Sequence, residues 1–302
     1  MFSCLSGGLG NQMFQYSAAY ILKKNICNAQ LLIIDDSYFY CQPQKDTPRN
    51  FEINQFNIVF DRVTTDEEKR AISKLRKFKK IPLPLFKSNV ITEFLFDKTL
   101  LTDEDFYNVL NKNKFKVKMN TCLFSFYQDS SLINKYRNLI LPLFTINDEL
   151  LQVCQQLDSY GFICEHTNTT SLHIRRGDYV TNPHAAKFHG TLSMDYYSQA
   201  MSYIEHKLGK QLFVIFSDDV QWATEKFGGR SDCYIVNNVN CQFSAVDMYL
   251  MSLCKNNIIA NSTYSWWGGW LNKSEEKLVI APQKWFAEDK ESLLAVNDWI
   301  SI

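Results

Sequence analysis

From residue 171 to residue 281, short apolar segments recur at regular intervals, each separated from the next by a stretch of helical character. This alternation constrains the fold more than any other feature of the chain. Segments 171–174, 211–216, 233–236, 257–260 and 278–281 read as strands, and 194–208, 221–227, 245–254 and a segment starting at 265 read as helices. Strands that alternate with helices predict a parallel sheet wrapped by its own crossover helices. The chain opens in the same way: a strand over 1–5, a glycine-rich turn over 6–10, a helix over 11–24, and a strand over 31–34 that ends at Asp35-Asp36. A length of 302 residues has room for two such units. The polar stretch 161–170 marks the break, which predicts an α/β protein of two Rossmann-like domains facing a cleft, 1–163 and 164–302.

Between these landmarks, 66–80 reads as a highly charged helix ended by Pro82 and Pro84. Lysines at 112, 114, 116 and 118 share one face of a strand with period two. Segment 121–127 is a further strand, and 132–144 and 148–160 are helices. The formal net charge is zero, so no bulk field draws the chain to nucleic acid. Nine scattered cysteines without a C-x-x-C pair suggest reduced thiols in a cytoplasmic protein rather than zinc or a disulfide framework. No signal peptide and no spanning helix are visible. The basic run 69–80 is read as a solvated helix face, with peripheral docking on the inner membrane face as the alternative.

Chemistry concentrates at strand ends. His173-Ile-Arg-Arg-Gly-Asp178 closes an apolar strand with two guanidiniums, whose forks match phosphate oxygens and stay charged at any working pH. Ligands of open α/β sheets bind outside the carboxyl ends of the strands. Internal pairing of Arg175 and Arg176 with Asp178 and other acids stands as the competing reading. Gly7-Gly-Leu-Gly10-Asn11 delivers a helix N-terminus suited to close approach of a phosphate or sugar, but Met13 stands where a dinucleotide fingerprint needs its third glycine. Asp218 and Asp219 end an apolar strand. They suit guanine or ribose donors, or a helix cap, better than a divalent metal, because no D-x-D or ligand cluster accompanies them. Asn261-Ser262-Thr263-Tyr-Ser-Trp-Trp opens a helix with hydroxyls where a pyrophosphate can sit, while Trp266, Trp267 and Trp270 read as core.

Together, GGLGNQMFQY, SFYQDSSL, HIRRGDYV, FSDD followed by a tryptophan, and ANSTYSWWGGWL resemble the inverting α-1,2-fucosyltransferases of the bacterial branch, over essentially the whole chain. The resemblance implies the GT-B glycosyltransferase architecture, with an N-terminal acceptor-side domain and a C-terminal GDP-sugar-binding domain. It implies GDP-β-L-fucose as donor, no cofactor and no metal, and the 2-OH of a terminal β-galactoside as acceptor, in a surface glycan such as O-antigen or capsule. Carried onto this sequence, Arg175 grips the β-phosphate, and His173 and Asp218 face guanine. Ser262 and Thr263 hold the pyrophosphate, Asn11 touches fucose or phosphate, and Tyr127 and Gln128 border the acceptor. Asp178 is the candidate base, with His184 and His189 as alternatives. An α-1,6- or protein-directed fucosyltransferase shares H-x-R-R but not NSTYSWWGGWL. A non-catalytic carbohydrate-binding protein leaves the paired arginines unexplained.

Overall fold

The computed structural model describes residues 1–26, 30–44, 46–79, 99–101, 103–112, 120–238, 241–287 and 292–302. The expected lysine-faced strand over 112–118 and the prolines at 82 and 84 lie outside them, apart from Lys112 itself. The chain divides into two compact units. One comprises residues 1–54 and 58–143, and the other residues 55–57 and 144–302.

The first unit holds a five-stranded parallel sheet in the order β3-β2-β1-β5-β4, formed by Phe2–Cys4 (β1), Ile33–Asp35 (β2), Arg62–Val63 (β3), Thr99–Leu101 (β4) and Thr121–Leu123 (β5). Helix α1 (Leu9–Asn25) follows β1 and is buried along most of its length. The charged helix α2 (Asp66–Lys79) is not simply a solvated face. Lys69 pairs with Asp36 at 2.9 Å, and Arg76 with the fully buried Asp35 at 2.8 Å, so two of its cations close the carboxyl end of β2. Arg70, Lys74 and Lys77 remain exposed. The strand expected over 121–127 stops at Leu123, and the segment expected as one helix over 132–144 forms Ser130–Lys135, Arg137–Ile140 and a 3-10 turn Leu141–Phe144. Pro142, with no N–H to donate and a ring that crowds the preceding turn, accounts for the tightened last turn.

The second unit carries a six-stranded parallel sheet in the order β11-β10-β9-β6-β7-β8. Its strands are Thr169–Ile174 (β6), Leu212–Ser217 (β7), Cys233–Ile235 (β8), Asn256–Ile258 (β9), Val279–Ala281 (β10) and Ile300–Ser301 (β11). Every residue of β6 is buried, as a central parallel strand covered on both faces requires. The helices are α3 (Asp148–Gln155), α4 (Asp158–Glu165), α5 (Gly177–Thr181), α6 (Pro183–His189), α7 (Met194–Leu208), α8 (Val220–Phe227), α9 (Ser244–Leu253) and α10 (Thr263–Leu271). The expected boundary at 163/164 falls inside α4, which belongs to the second unit. The sequence after Asp178, for which no element was expected, folds into α5 and α6. Asn182 caps α6 by accepting from the backbone N–H of His184 and Ala185, and Pro183 takes the first helical position. Leu172 and Ile174 of β6, Phe213 and Ile215 of β7, and Tyr197, Ala200 and Ile204 of α7 form the core beneath the site.

Candidate active site

β6 lies between β9 and β7, and the chain leaves the sheet at Arg175. Asp218, one residue beyond β7, folds back over that exit. Its Oδ1 accepts the backbone N–H of Arg176 at 2.8 Å and of Gly177 at 3.1 Å, and its Oδ2 meets Arg175 Nη1 at 2.6 Å. A Cβ on Gly177 would stand 2.6 Å from Asp218 Oδ2, so the close approach itself requires glycine. Arg175 Nη2 donates to Asp178 at 2.5 Å, and the guanidinium lies 5.4 Å from the centre of the Tyr179 ring. Burial pulls the Arg175 pKa down, but Asp218 and Asp178 outweigh it and hold the group charged. The internal-pairing reading therefore describes part of this site, with two carboxylates fixing one cation. Two of the five guanidinium N–H groups are taken up in doing so.

Arg176 belongs to the scaffold. Its Nε donates to Asp219 at 3.1 Å and its guanidinium sits 4.4 Å over Trp222, while Asp219 also caps α8 by accepting the Trp222 N–H at 3.1 Å. His173 is only 4% exposed and lies 5.5 Å, ring to ring, from Tyr264. Among the described residues its Nδ1 has no hydrogen-bond partner. Burial pushes its pKa down to about 4, with Asp218 opposing and Arg175 adding to the shift, so the ring is neutral near pH 7.

β9 leads to Asn261 and then to Ser262, which caps α10 by accepting the Tyr264 N–H at 3.3 Å; Thr263 begins the helix. Because β9 and β6 are parallel neighbours, this helix start and Arg175 stand at the same edge of the sheet. Asn261 ties that edge together. Its Nδ2 donates to the carbonyls of His189 at 3.0 Å and Gly190 at 3.2 Å, and its own carbonyl accepts the Tyr179 hydroxyl at 3.2 Å. His189 stacks on Tyr179 at 4.6 Å and 3°, and burial lowers its pKa to about 4. His184 is exposed. Trp266, Trp267 and Trp270 are at most 1% exposed and form core beneath the helix start.

Asp247, in the first turn of α9, was not singled out in the sequence, although it is the only charged residue from Ser244 to Leu253. Its Oδ1 accepts from Asn238 Nδ2 at 2.7 Å, and Asn238 in turn accepts from Ser159 Oγ at 3.2 Å. Burial raises its pKa, partly offset by the Asn238 bond. The Tyr264 hydroxyl donates to the Ser244 carbonyl at 2.5 Å, which links α9 to His173 through the Tyr264 ring.

Asn11 lies in the other unit. Gly7 takes a φ of 75°, and a Cβ there would approach Asn11 Nδ2 to 2.6 Å, so this turn needs glycine twice over. Asn11 Oδ1 accepts from Gln128 Nε2 at 3.0 Å. Two glutamines that the pattern offers only as polar residues hold the turn from inside. Gln12 Nε2 donates to the Gly7 carbonyl at 3.0 Å and its Oε1 accepts the Glu52 N–H at 3.0 Å, while Gln15 Oε1 accepts the Ser6 N–H at 2.9 Å. Among the described residues no three His, Cys, Asp or Glu side chains gather as metal ligands, and no helix is long and apolar enough to cross a membrane.

Two Rossmann-like domains, one with a carboxylate-braced arginine and a hydroxyl-bearing helix start at its sheet edge, define a GT-B glycosyltransferase. The same fold is seen in the fucosyltransferase NodZ from Bradyrhizobium, with a TM-score of 0.53 and 12% identity over 88% of this chain and 90% of that one. The chain belongs to glycosyltransferase family 11, whose profile matches residues 3–302. It is 55% identical to the O-antigen biosynthesis glycosyltransferase WbnK of Escherichia coli, over 100% of both chains. It is also 30% identical to an alpha-1,2-colitosyltransferase of Escherichia coli, over 95% of this chain and 92% of that one.

Proposed function

We propose that this glycosyltransferase moves L-fucose from GDP-β-L-fucose to the 2-OH of a terminal β-galactoside in an O-antigen-type glycan, with inversion and without a metal. The observation that carries the reading is Arg175, held charged by Asp218 and Asp178 at the edge where Ser262 and Thr263 open α10. An arginine so fixed can meet the charge that builds on departing diphosphate without reorganising, which is the work a metal does elsewhere. Helix-start amides and the two hydroxyls take the remaining phosphate oxygens. His173, neutral and close to Tyr264, faces the nucleoside. Asp218 has its oxygens on Arg175 and two backbone N–H groups, so the carboxylate for the guanine edge in this reading is Asp247. A half-buried carboxylate held by the Asn238 amide is stabilised by the paired N1–H and N2–H of guanine. Asp178 receives the acceptor proton while its Oδ1 stays on Arg175. Two relatives support the reading of the product, one by its O-antigen role and the other by its α-1,2 linkage.

The test is GDP release and product formation from GDP-fucose and lactose in EDTA, for the wild type and Arg175→Ala. Transfer should survive the chelator and fall by roughly 10²–10³ in kcat in the variant. Loss of activity in EDTA that Mg²⁺ or Mn²⁺ restores removes the metal-free reading. Turnover of GDP-colitose but not of GDP-fucose moves the donor to the neighbouring sugar.

A further inference from the structure

Among the described residues of α5 and α6, Tyr179 alone is buried. Little apolar burial therefore fixes this segment on the sheet, and its ties are specific ones. At its far end the Ala287 N–H donates to the Phe188 carbonyl at 3.1 Å, and the Phe188 and Phe286 rings lie 4.9 Å apart. Its other fastening is a closed loop of contacts. The Tyr179 ring stacks on His189 at 4.6 Å, the Tyr179 hydroxyl donates to the Asn261 carbonyl at 3.2 Å, and Asn261 Nδ2 returns to the His189 carbonyl at 3.0 Å.

That loop joins the two halves of the anion cradle. On one side the Tyr179 ring lies 5.4 Å from the Arg175 guanidinium. On the other, its hydroxyl holds the carbonyl of Asn261, which is 2% exposed and precedes the Ser262 cap of α10. A phenol serves both ends, because its face attracts a cation and its O–H satisfies a buried carbonyl. The stacked His189 brings no competing charge near pH 7, since burial lowers its pKa to about 4.

We infer that Tyr179 is a positioning residue of the diphosphate cradle: its ring limits where the Arg175 fork can swing, and its hydroxyl fixes the start of α10. Asp218 and Asp178 keep the arginine charged, and Tyr179 keeps it in register with Ser262 and Thr263. Donors fixed before the reaction need no reorganisation as charge builds on the leaving group, and small misplacements are costly. The inference rests on the diphosphate reading of this edge and gives a role to a residue which that reading leaves out.

The experiment compares the wild type, Tyr179→Phe and Tyr179→Leu, each with Arg175 present and with Arg175→Ala. Calorimetry gives Kd for GDP and for guanosine, which lacks the diphosphate, and GDP-fucose with lactose gives kcat. Thermal melts keep every comparison below the unfolding transition. Tyr179→Phe retains the ring and loses the hydroxyl. It should raise the GDP Kd and lower kcat by about 10-fold each, while the guanosine Kd stays within about 2-fold. Tyr179→Leu loses the ring as well and should lower kcat by roughly 10²-fold. In the Arg175→Ala background Phe and Leu should give the same GDP Kd, because the ring acts through the arginine. GDP Kd and kcat unchanged in Tyr179→Phe would overturn the hydroxyl's role. Equal weakening of GDP and guanosine overturns the inference, by making Tyr179 a support of the whole unit. A difference between Phe and Leu that persists without Arg175 overturns the ring's role. If the wild type binds GDP but transfers nothing from GDP-fucose, only the donor sugar is misread, and the GDP comparisons still decide on Tyr179. A wild type that binds no GDP removes the diphosphate reading and this inference with it.

Discussion

Gly177 carries more of the site than its size suggests. The Asp218 carboxylate occupies the space a methyl group would need, and that same carboxylate positions Arg175. Gly177→Ala should therefore displace Asp218 and lower kcat by roughly 10²-fold, comparable to loss of one preorganised donor, while the melting temperature moves by only a few degrees. Transfer assays beside thermal melts check this, and near-wild-type turnover would refute it. His173 supplies a second prediction. Its imidazole stays neutral in the folded protein down to about pH 4, whereas in the unfolded chain it protonates below its ordinary 6.5. Between those values the unfolded state binds more protons. This group's contribution to stability is therefore full above pH 6.5 and is lost as pH falls towards 4, by up to about 3 kcal/mol. Urea titrations should show His173→Gln losing less stability than wild type over that interval. At this scale the sequence was partly legible. A cation at a strand's end and one of its two braces, Asp178, are visible in HIRRGD, but the other brace comes from Asp218, more than forty residues away.

Helices α4 and α10 show why the same substitution has opposite signs in different elements. Gly161 lies in α4 with no atom within 4 Å of where a Cβ would sit, so Gly161→Ala should stabilise the protein by roughly 0.5–1 kcal/mol through helix propensity and reduced chain entropy. Gly268 lies in α10, where a Cβ would stand 3.2 Å from Met251 Cβ, an atom fixed to the backbone of α9. There Gly268→Ala should cost about 1–3 kcal/mol by overpacking, despite the better propensity of alanine. Chemical denaturation of the two variants decides it, and equal signs would show that the packing of α10 on α9 is misjudged. The sequence placed Gly268 in a helix and Gly161 in the break between domains, and it could not foresee either sign, because the difference lies in what packs against each. Strand positions were more legible than helix ends, since a buried parallel strand is apolar on both faces. Helices α5 and α6 escaped notice because their few apolar residues make no periodic stripe.

The division of the whole chain was the least legible feature, and its correction leads to a prediction. The polar stretch around 161–170 looks like a linker, yet it contains the end of α4, whose Ile163 is buried, as is Cys154 of α3. Residues 55–57, far upstream, also belong to the second unit. Gln55 Oε1 accepts the Ala245 N–H at 2.9 Å, the Asn57 N–H donates to the Thr145 carbonyl at 2.9 Å, and Phe56 lies 5.4 Å from Phe144. No composition shift announces a segment of three residues that crosses from one unit to the other. A fragment starting at 164 would begin inside a helix and strip α3 and most of α4 from α9, so it should show no cooperative thermal transition. A fragment of 144–302 keeps those helices and loses only the Phe56 segment, whose burial is worth about 2–3 kcal/mol. It should melt cooperatively at a temperature several degrees lower than the same unit does within the full chain. Circular dichroism melts of the two fragments test the division directly. A cooperative transition in 164–302 would restore the later boundary, and none in 144–302 would mean that the three upstream residues are indispensable to this unit.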